Sequence, residues 1–103
     1  MAAPKLTDEQ RKEALEKAKE VRKARSELLA SMGTGELSFV EGLEKASADE
    51  HLKRTLVKHM IRTQHGYGTV KTENLMKELG IADNRRVGGL GTRQRAALVE
   101  IFG

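Results

Sequence analysis

From Thr7 to Met32 the chain contains neither proline nor glycine, and the stretch opens on Thr7-Asp8-Glu9-Gln10. That is a capping box: the Thr7 hydroxyl can accept the Gln10 amide, while two acids meet the positive end of the helix dipole. Gly33 and Gly35 follow as left-handed terminators, which predicts one helix of about 24 residues and about 36 Å. In a chain of 103 residues so long a rod leaves room for one small domain beside it. Its apolar positions Ala14, Ala18, Val21, Leu28 and Met32 step by three and four, with most of their bulk from Val21 onward. The C-terminal third is therefore expected to dock and the N-terminal part to project. The other face carries Arg11, Lys12, Lys17, Lys19, Arg22, Lys23 and Arg25 interleaved with Glu13, Glu16, Glu20 and Glu27. Pairs such as Glu13 with Lys17 fit a solvated mixed-charge face better than a second nucleic-acid contact from Arg22, Lys23 and Arg25.

The remaining chain continues in helical punctuation. Ser38 and Glu41 form a second capping box, ahead of Phe39, Val40, Leu43 and Ala46 on one face, with Gly42 weakening the helix. Ser47 and Glu50 read as a third box, opening a helix to about Arg62 that buries Leu52, Leu56 and Met60 with Val57 and Ile61 beside them. Gln64-His65-Gly66-Tyr67-Gly68 is a tight turn; Thr69 is expected to cap a helix over residues 70–79 with Leu75, Met76 and Leu79 inward. Gly80 and Ile81 read as its Schellman end. A basic, glycine-rich loop runs from Ala82 to Gly91, and Thr92 starts a last helix carrying Ala97, Leu98, Ile101 and Phe102. No alternating strand pattern and no internal repeat occur, so the fold class is all-α, with four or five helices. Residues 1–35 are expected to form the projecting helix and residues 36–103 a compact helical domain, the two making a single folded unit.

The absence of cysteine removes disulfide scaffolds, thiol catalysis and cysteine-ligated metals, and suits a reducing cytoplasm. No run is long and apolar enough to span a bilayer, and Met1-Ala2-Ala3-Pro4-Lys5 leads directly into charge, so neither a membrane partner nor a signal peptide is expected. His51, His59 and His65 lie eight and six residues apart, which does not place two on one helical face as metal ligands. Gly33-Thr34-Gly35 and Gly88-Gly89-Leu90-Gly91 lack the lysine and spacing of a phosphate-cleaving loop. No catalytic group, metal or cofactor is indicated. Charge is more informative: residues 1–50 hold 9 Lys and Arg against 11 Asp and Glu, whereas residues 51–103 hold 10 against 4. The net +6 of the second half favours a polyanionic partner, since each cation that meets a phosphate releases condensed counterions.

Gly66-Tyr67-Gly68-Thr69-Val70-Lys71 is where that charge acquires a geometry. Glycines at Gly66 and Gly68 let the amides of the turn, and the free amides opening the next helix, converge on one anion. Lys71 adds a point charge, and Tyr67 is placed either against a sugar or inside the hairpin. A second phosphate seat is expected from Arg85 and Arg86 in the loop with Thr92-Arg93-Gln94-Arg95 at the start of the last helix. Two such seats about one helix apart suit a duplex backbone.

Gly66-x-Gly68, Leu75-Met76-x-x-Leu79-x-Ile81 and Arg85-Arg86-Val87-x-x-Leu90-Gly91-x-Arg93-Gln94-Arg95-x-x-Leu98 resemble the helix-two-turn-helix element of several nucleic-acid-binding families. Together with Leu6-Thr7-x-Glu9-Gln10-Arg11, Ala14-Leu15-Glu16-Lys17-Ala18 and the ending Ala97-Leu98-x-Glu100-x-Phe102-Gly103, the whole chain is similar to the actinobacterial type of integration host factor. The resemblance implies a cytoplasmic, nucleoid-associated double-stranded DNA binder. It would grip phosphates with little sequence preference, bend or compact DNA, and support site-specific phage recombination, with a phage integrase as a further partner and a monomer in solution. DNA contacts carried over on matching positions are Arg54, Gly66, Gly68, Lys71, Arg85, Arg86, Arg93 and Arg95, with Tyr67 and Thr69 in the turn itself. The chain departs from the family where Thr69 follows Gly68 in place of lysine, where Gly88 replaces an arginine, and where Leu56 replaces a basic residue, which shifts weight onto Lys53, Lys58 and Arg62. The alternative is a ribosomal-type protein that binds structured RNA through the same element; such proteins usually carry a long basic C-terminal tail.

Overall fold

The computed structural model describes residues 7–103; Met1 to Lys5, read above for a signal peptide, and Leu6 lie outside the described residues. Five α-helices run in the order α1 (Asp8–Thr34), α2 (Phe39–Ala48), α3 (Val57–Arg62), α4 (Thr69–Glu78) and α5 (Thr92–Phe102), with 3-10 turns at Leu52–Arg54 and Val87–Gly89. The all-α class and the long first helix stand as expected.

Helix α1 starts on the expected reciprocal box, the Thr7 hydroxyl accepting the Gln10 amide at 3.1 Å and the Gln10 side chain accepting the Thr7 amide at 3.0 Å. It is longer than the sequence suggests, 27 residues, because Gly33 continues the helix and only Gly35, at φ 85°, terminates it. Every residue from Thr7 to Glu20 is exposed, whereas Leu28 and Met32 are buried, so the N-terminal half projects and the C-terminal turns dock. A rod of that length, about 40 Å at 1.5 Å per residue, accounts for the 50 Å long axis of the molecule. Helix α2 opens on the Ser38 and Glu41 box, and the bonds from the Ser38 amide and hydroxyl hold the Glu41 carboxyl below the usual carboxylate range.

Gly42, expected to weaken α2, instead sets its crossing with α1. A Cβ there would lie 2.4 Å from the Met32 sulfur and 2.7 Å from its Cγ, so the two helices approach this closely only because position 42 has no side chain. Around that crossing Leu28, Met32, Phe39, Leu43, Leu52, Val57, Met60, Ile61, Val87 and Leu98 form one core, and Phe39, Leu43, Met60, Ile61 and Leu98 are almost wholly shielded from solvent.

The single helix expected from Ser47 to Arg62 is not formed. Ser47 still belongs to α2, and its hydroxyl donates to the Leu43 carbonyl at 2.7 Å rather than capping a new helix. The cap is Asp49: its carboxylate accepts the amides of His51 at 2.8 Å and Leu52 at 2.9 Å, and these bonds hold its carboxyl below the ordinary range. Thr55 and Leu56 are then extended and form an antiparallel bridge centred on Leu56 and Arg86. Val57 donates to the Arg85 carbonyl at 2.9 Å and Val87 to the Thr55 carbonyl at 3.0 Å. A local helix signal has yielded to a pairing with a segment 30 residues away, which buries Val57 and Val87 completely or nearly so.

Thr55 sits in this bridge fully buried, with no hydrogen-bond partner for its hydroxyl. Replacing it with the isosteric valine removes an unsatisfied polar group from the interior, so Thr55→Val is expected to stabilise the fold by about 1 kcal/mol. Thermal unfolding followed by circular dichroism checks this; a lower Tm than the parent would contradict it.

Thr69, expected to cap α4, lies within the helix, and Gly68 occupies the N-cap position. The far end is the expected Schellman closure, with Ile81 donating to the Met76 carbonyl at 2.8 Å and Gly80 to that of Lys77 at 3.2 Å. Helix α5 starts at Thr92 as expected. Gln94 ties it down by accepting the Gly91 amide at 2.9 Å and donating to the Gly80 carbonyl at 2.9 Å, which joins the start of α5 to the end of α4.

Candidate nucleic-acid interface

The turn between α3 and α4 is built from residues that serve it in different ways. Gly66 has φ 85°, a left-handed conformation that requires glycine, and it reverses the chain after the Gln64 amide donates to the Ile61 carbonyl. Gly68 is extended at φ −85°, ψ −170°, which any residue can adopt, and a Cβ there would meet nothing within 4 Å. The fold does not demand glycine at 68; its absent side chain leaves the amides behind it open to an external group. Those of Gly68, Thr69, Val70 and Lys71 make no backbone hydrogen bond among the described residues, because they open α4 and have no residue one turn earlier to bond. Four unpaired donors at the positive end of a helix dipole form an anion seat.

Tyr67 fills the hairpin. Its ring packs edge-on against Phe102 of α5 at 5.1 Å, and Phe102 in turn lies 4.5 Å from Phe39 of α2, so the three aromatic residues of the chain form one line from the core to the turn. The Lys71 ammonium lies over the outer face of the Tyr67 ring, 4.5 Å from its centre. Its charge is thus held beside the open amides rather than swinging free in solvent. Val70 in the same turn is 70% exposed, an aliphatic surface directly beside the amides.

A second basic locus forms at the bridge. Pairing Leu56 with Arg86 brings Lys53 and Arg54 against Asn84, Arg85, Arg86, Gly88 and Gly89, around an open cleft of about 490 Å³. The arginines are braced by carbonyls: Arg85 donates to Gly89 at 2.8 Å and Arg86 to the Arg54 carbonyl. Arg54 was legible as a basic position, but nothing in the sequence places it, or Lys53, beside Arg85; the juxtaposition comes from the bridge alone. Asn84 escaped sequence reasoning altogether, and no local signal marks it.

The residues expected to join Arg85 and Arg86 at the start of α5 do not line that cleft. Arg95 donates to the Ser47 hydroxyl at 2.7 Å and is half-buried against α2, while Arg93 is exposed with no side-chain partner among the described residues. Lys58 is occupied by an ion pair with Asp83 at 3.0 Å. Among the described residues no group of three or more His, Asp or Glu is arranged to hold a metal ion, and no helix is long and apolar enough to cross a membrane.

Residues 32–102 match the family model described as an S13-like H2TH domain, which takes in the turn, the bridge and α5. The chain is 46% identical over 103 residues to the integration host factor of Mycobacterium tuberculosis, covering 100% of this chain and 98% of that protein. This chain belongs to the actinobacterial integration host factor family. The same family member from Mycolicibacterium smegmatis is 45% identical over 102 residues, covering 99% and 97% of the two chains, and that from Streptomyces coelicolor 36% over 103 residues, covering 100% and 96%. In three dimensions it superposes with a TM-score of 0.81 on a solved structure of sIHF bound to an 8bp palindromic DNA, at 31% identity, covering 85% of this chain and 99% of that one. The resemblance read from the motifs is thus a family relationship over the full chain.

Proposed function

We propose that this chain binds double-stranded DNA through its phosphate backbone, with little dependence on sequence, as a nucleoid-associated protein that bends or compacts DNA. The observation that carries this reading is the turn: four unpaired amides at the head of α4, with no side chain at Gly68 to cover them and the Lys71 charge held alongside by Tyr67. Phosphate is the anion that such donors recognise, and amides and ammonium groups read charge and shape rather than base edges. The cleft of Lys53, Arg54, Arg85 and Arg86 supplies a second phosphate contact, with Arg93 and Arg95 on α5 and Thr69 in the turn as further members of the interface. The likeness to a family member solved on DNA supports the choice of duplex over other polyanions. On this reading the protein acts in the cytoplasm on the nucleoid, as one folded unit with a projecting α1, monomeric in solution and without enzymatic activity of its own. Support of a phage integrase follows from bending, since recombination needs two DNA segments brought together.

Titration of the protein against two unrelated duplexes and a structured RNA of equal length, at several salt concentrations, tests the proposal. If about six phosphates are neutralised, log affinity falls against log salt with a slope of about −5 and the two duplexes bind alike. A preference for the RNA would replace this function with the ribosomal-type one, and a flat salt response would remove phosphate recognition altogether. Arg93→Ala is expected to weaken binding to both duplexes equally and to reduce the slope by about one. Loss confined to one sequence would instead make Arg93 a base-reading residue.

A further inference from the structure

The docked end of α1 brings a guanidinium onto α3. Arg25 is half-buried, and its Nε is shielded from solvent with no hydrogen-bond partner among the described residues. No acceptor on the protein side of that Nε therefore offsets the guanidinium charge. The groups facing His59 are Arg25 from α1 and Lys58 and Arg62 from its own helix. Lys58 is paired with Asp83 at 3.0 Å, whereas neither Arg25 nor Arg62 has an acidic partner among the described residues. Beside them His59, Arg62 and Thr63 line an open depression of about 270 Å³, ample for a phosphate group.

We infer that His59 and Arg62, with the charge of Arg25 near them, form a phosphate-binding seat on the α1 side of α3, in which an incoming phosphate accepts hydrogen bonds from the Arg62 guanidinium and the imidazole. Nothing in the turn or in the cleft at the bridge requires this seat; its nucleic-acid occupant rests on the function proposed above, while its chemistry does not. Desolvation by the packing beneath the exposed ring first, then the charges of Lys58, Arg62 and Arg25, hold the His59 imidazole below its usual range, which favours its neutral form in the free protein. A phosphate between the cations reverses that balance, because it removes their repulsion and accepts from the protonated ring. Occupancy therefore strengthens as pH falls through the His59 transition. Folding stability runs the other way: a depressed native value contributes above the ordinary histidine range and is lost as pH falls.

The test follows the imidazole resonances of His51, His59 and His65 by NMR as pH is varied, in the free protein, with inorganic phosphate, and with a short duplex. With either anion the His59 midpoint is expected to rise by about half a pH unit or more, with His51 nearly still. Arg25→Gln and Arg62→Gln raise the free value by removing a like charge, and should shrink the further rise caused by anion to less than half. A response to inorganic phosphate but not to duplex keeps the seat and assigns it to free phosphate; a response to duplex alone assigns it to the nucleic-acid backbone. If the duplex shifts His65 and the Gly68 amide while His59 stays fixed with both anions, the seat is refuted and binding at the turn survives. If His59 stays fixed and the turn is silent too, both readings fall.

Discussion

Gly68→Asp is expected to bind duplex DNA about 30-fold more weakly than the parent, or worse, while unfolding at the same temperature or slightly higher. The two effects share one cause. Gly68 occupies the N-cap of α4 at φ −85°, ψ −170°, an extended geometry that suits an aspartate cap, and a Cβ there has open space around it. The new carboxylate would accept one or two of the amides that otherwise face outward, satisfying the helix end and complementing its dipole. For the same reason it would occupy the seat with a negative charge. Losing charge-assisted bonds worth about 1.5–3 kcal/mol each, with like-charge repulsion added, corresponds to a drop of 30-fold or more. Gly68→Ala, which adds a methyl group and no charge, is the control and should lose far less. The pair is read by DNA titration alongside thermal unfolding. An Asp variant that unfolds normally and binds DNA like the parent would remove the turn from the interface.

The second large effect lies in the core and leaves DNA contacts untouched. Gly42→Val places a branched side chain where even a Cβ comes within 2.4 Å of the Met32 sulfur, and Met32 is itself buried, so its side chain must shift within the core. Overpacking at a helix crossing of this kind is expected to cost about 3 kcal/mol, which lowers Tm by about 12 °C or more in a domain of this size. Met32→Ala alone opens a cavity and costs about 2–5 kcal/mol. Combined with Gly42→Val, the shortened residue makes room for the valine, so the double variant should be more stable than the sum of the singles by about 1 kcal/mol or more. Strict additivity would show that the two residues are not in contact and that α1 crosses α2 elsewhere.

Local rules carried the reading of this chain a long way. The caps at Thr7 and Ser38, the Schellman end at Gly80 and Ile81, and the inward stripe of α2 are decided by residues within one or two turns of one another, and each is present in the structure. The turn at Gly66 and Gly68 is legible for the same reason: the left-handed residue and the exposed helix start are both local consequences of sequence. The net charge of residues 51–103 pointed toward a polyanion without reference to any fold.

Tertiary structure decided what depends on residues far apart. Ser47 and Glu50 carry the local signature of a cap, yet Thr55 and Leu56 are extended because two backbone bonds to Arg85 and Val87, and the burial of Val57 and Val87, outweigh the propensity of one more helical turn. That bridge sets Arg54 beside Arg86 and so creates the basic cleft, a relation that neither residue type nor spacing could announce. Gly42 looked like a weak point in a helix because its value lies entirely in the neighbour it admits, Met32 of α1. Sequence by itself thus determined the helices α1, α2, α4 and α5, the caps at Thr7 and Ser38, the turn and the sign of the partner, since those follow from interactions a few residues long. The break before α3, the helix crossing and the grouping of cations were settled only when distant segments competed for the same buried surface and hydrogen bonds.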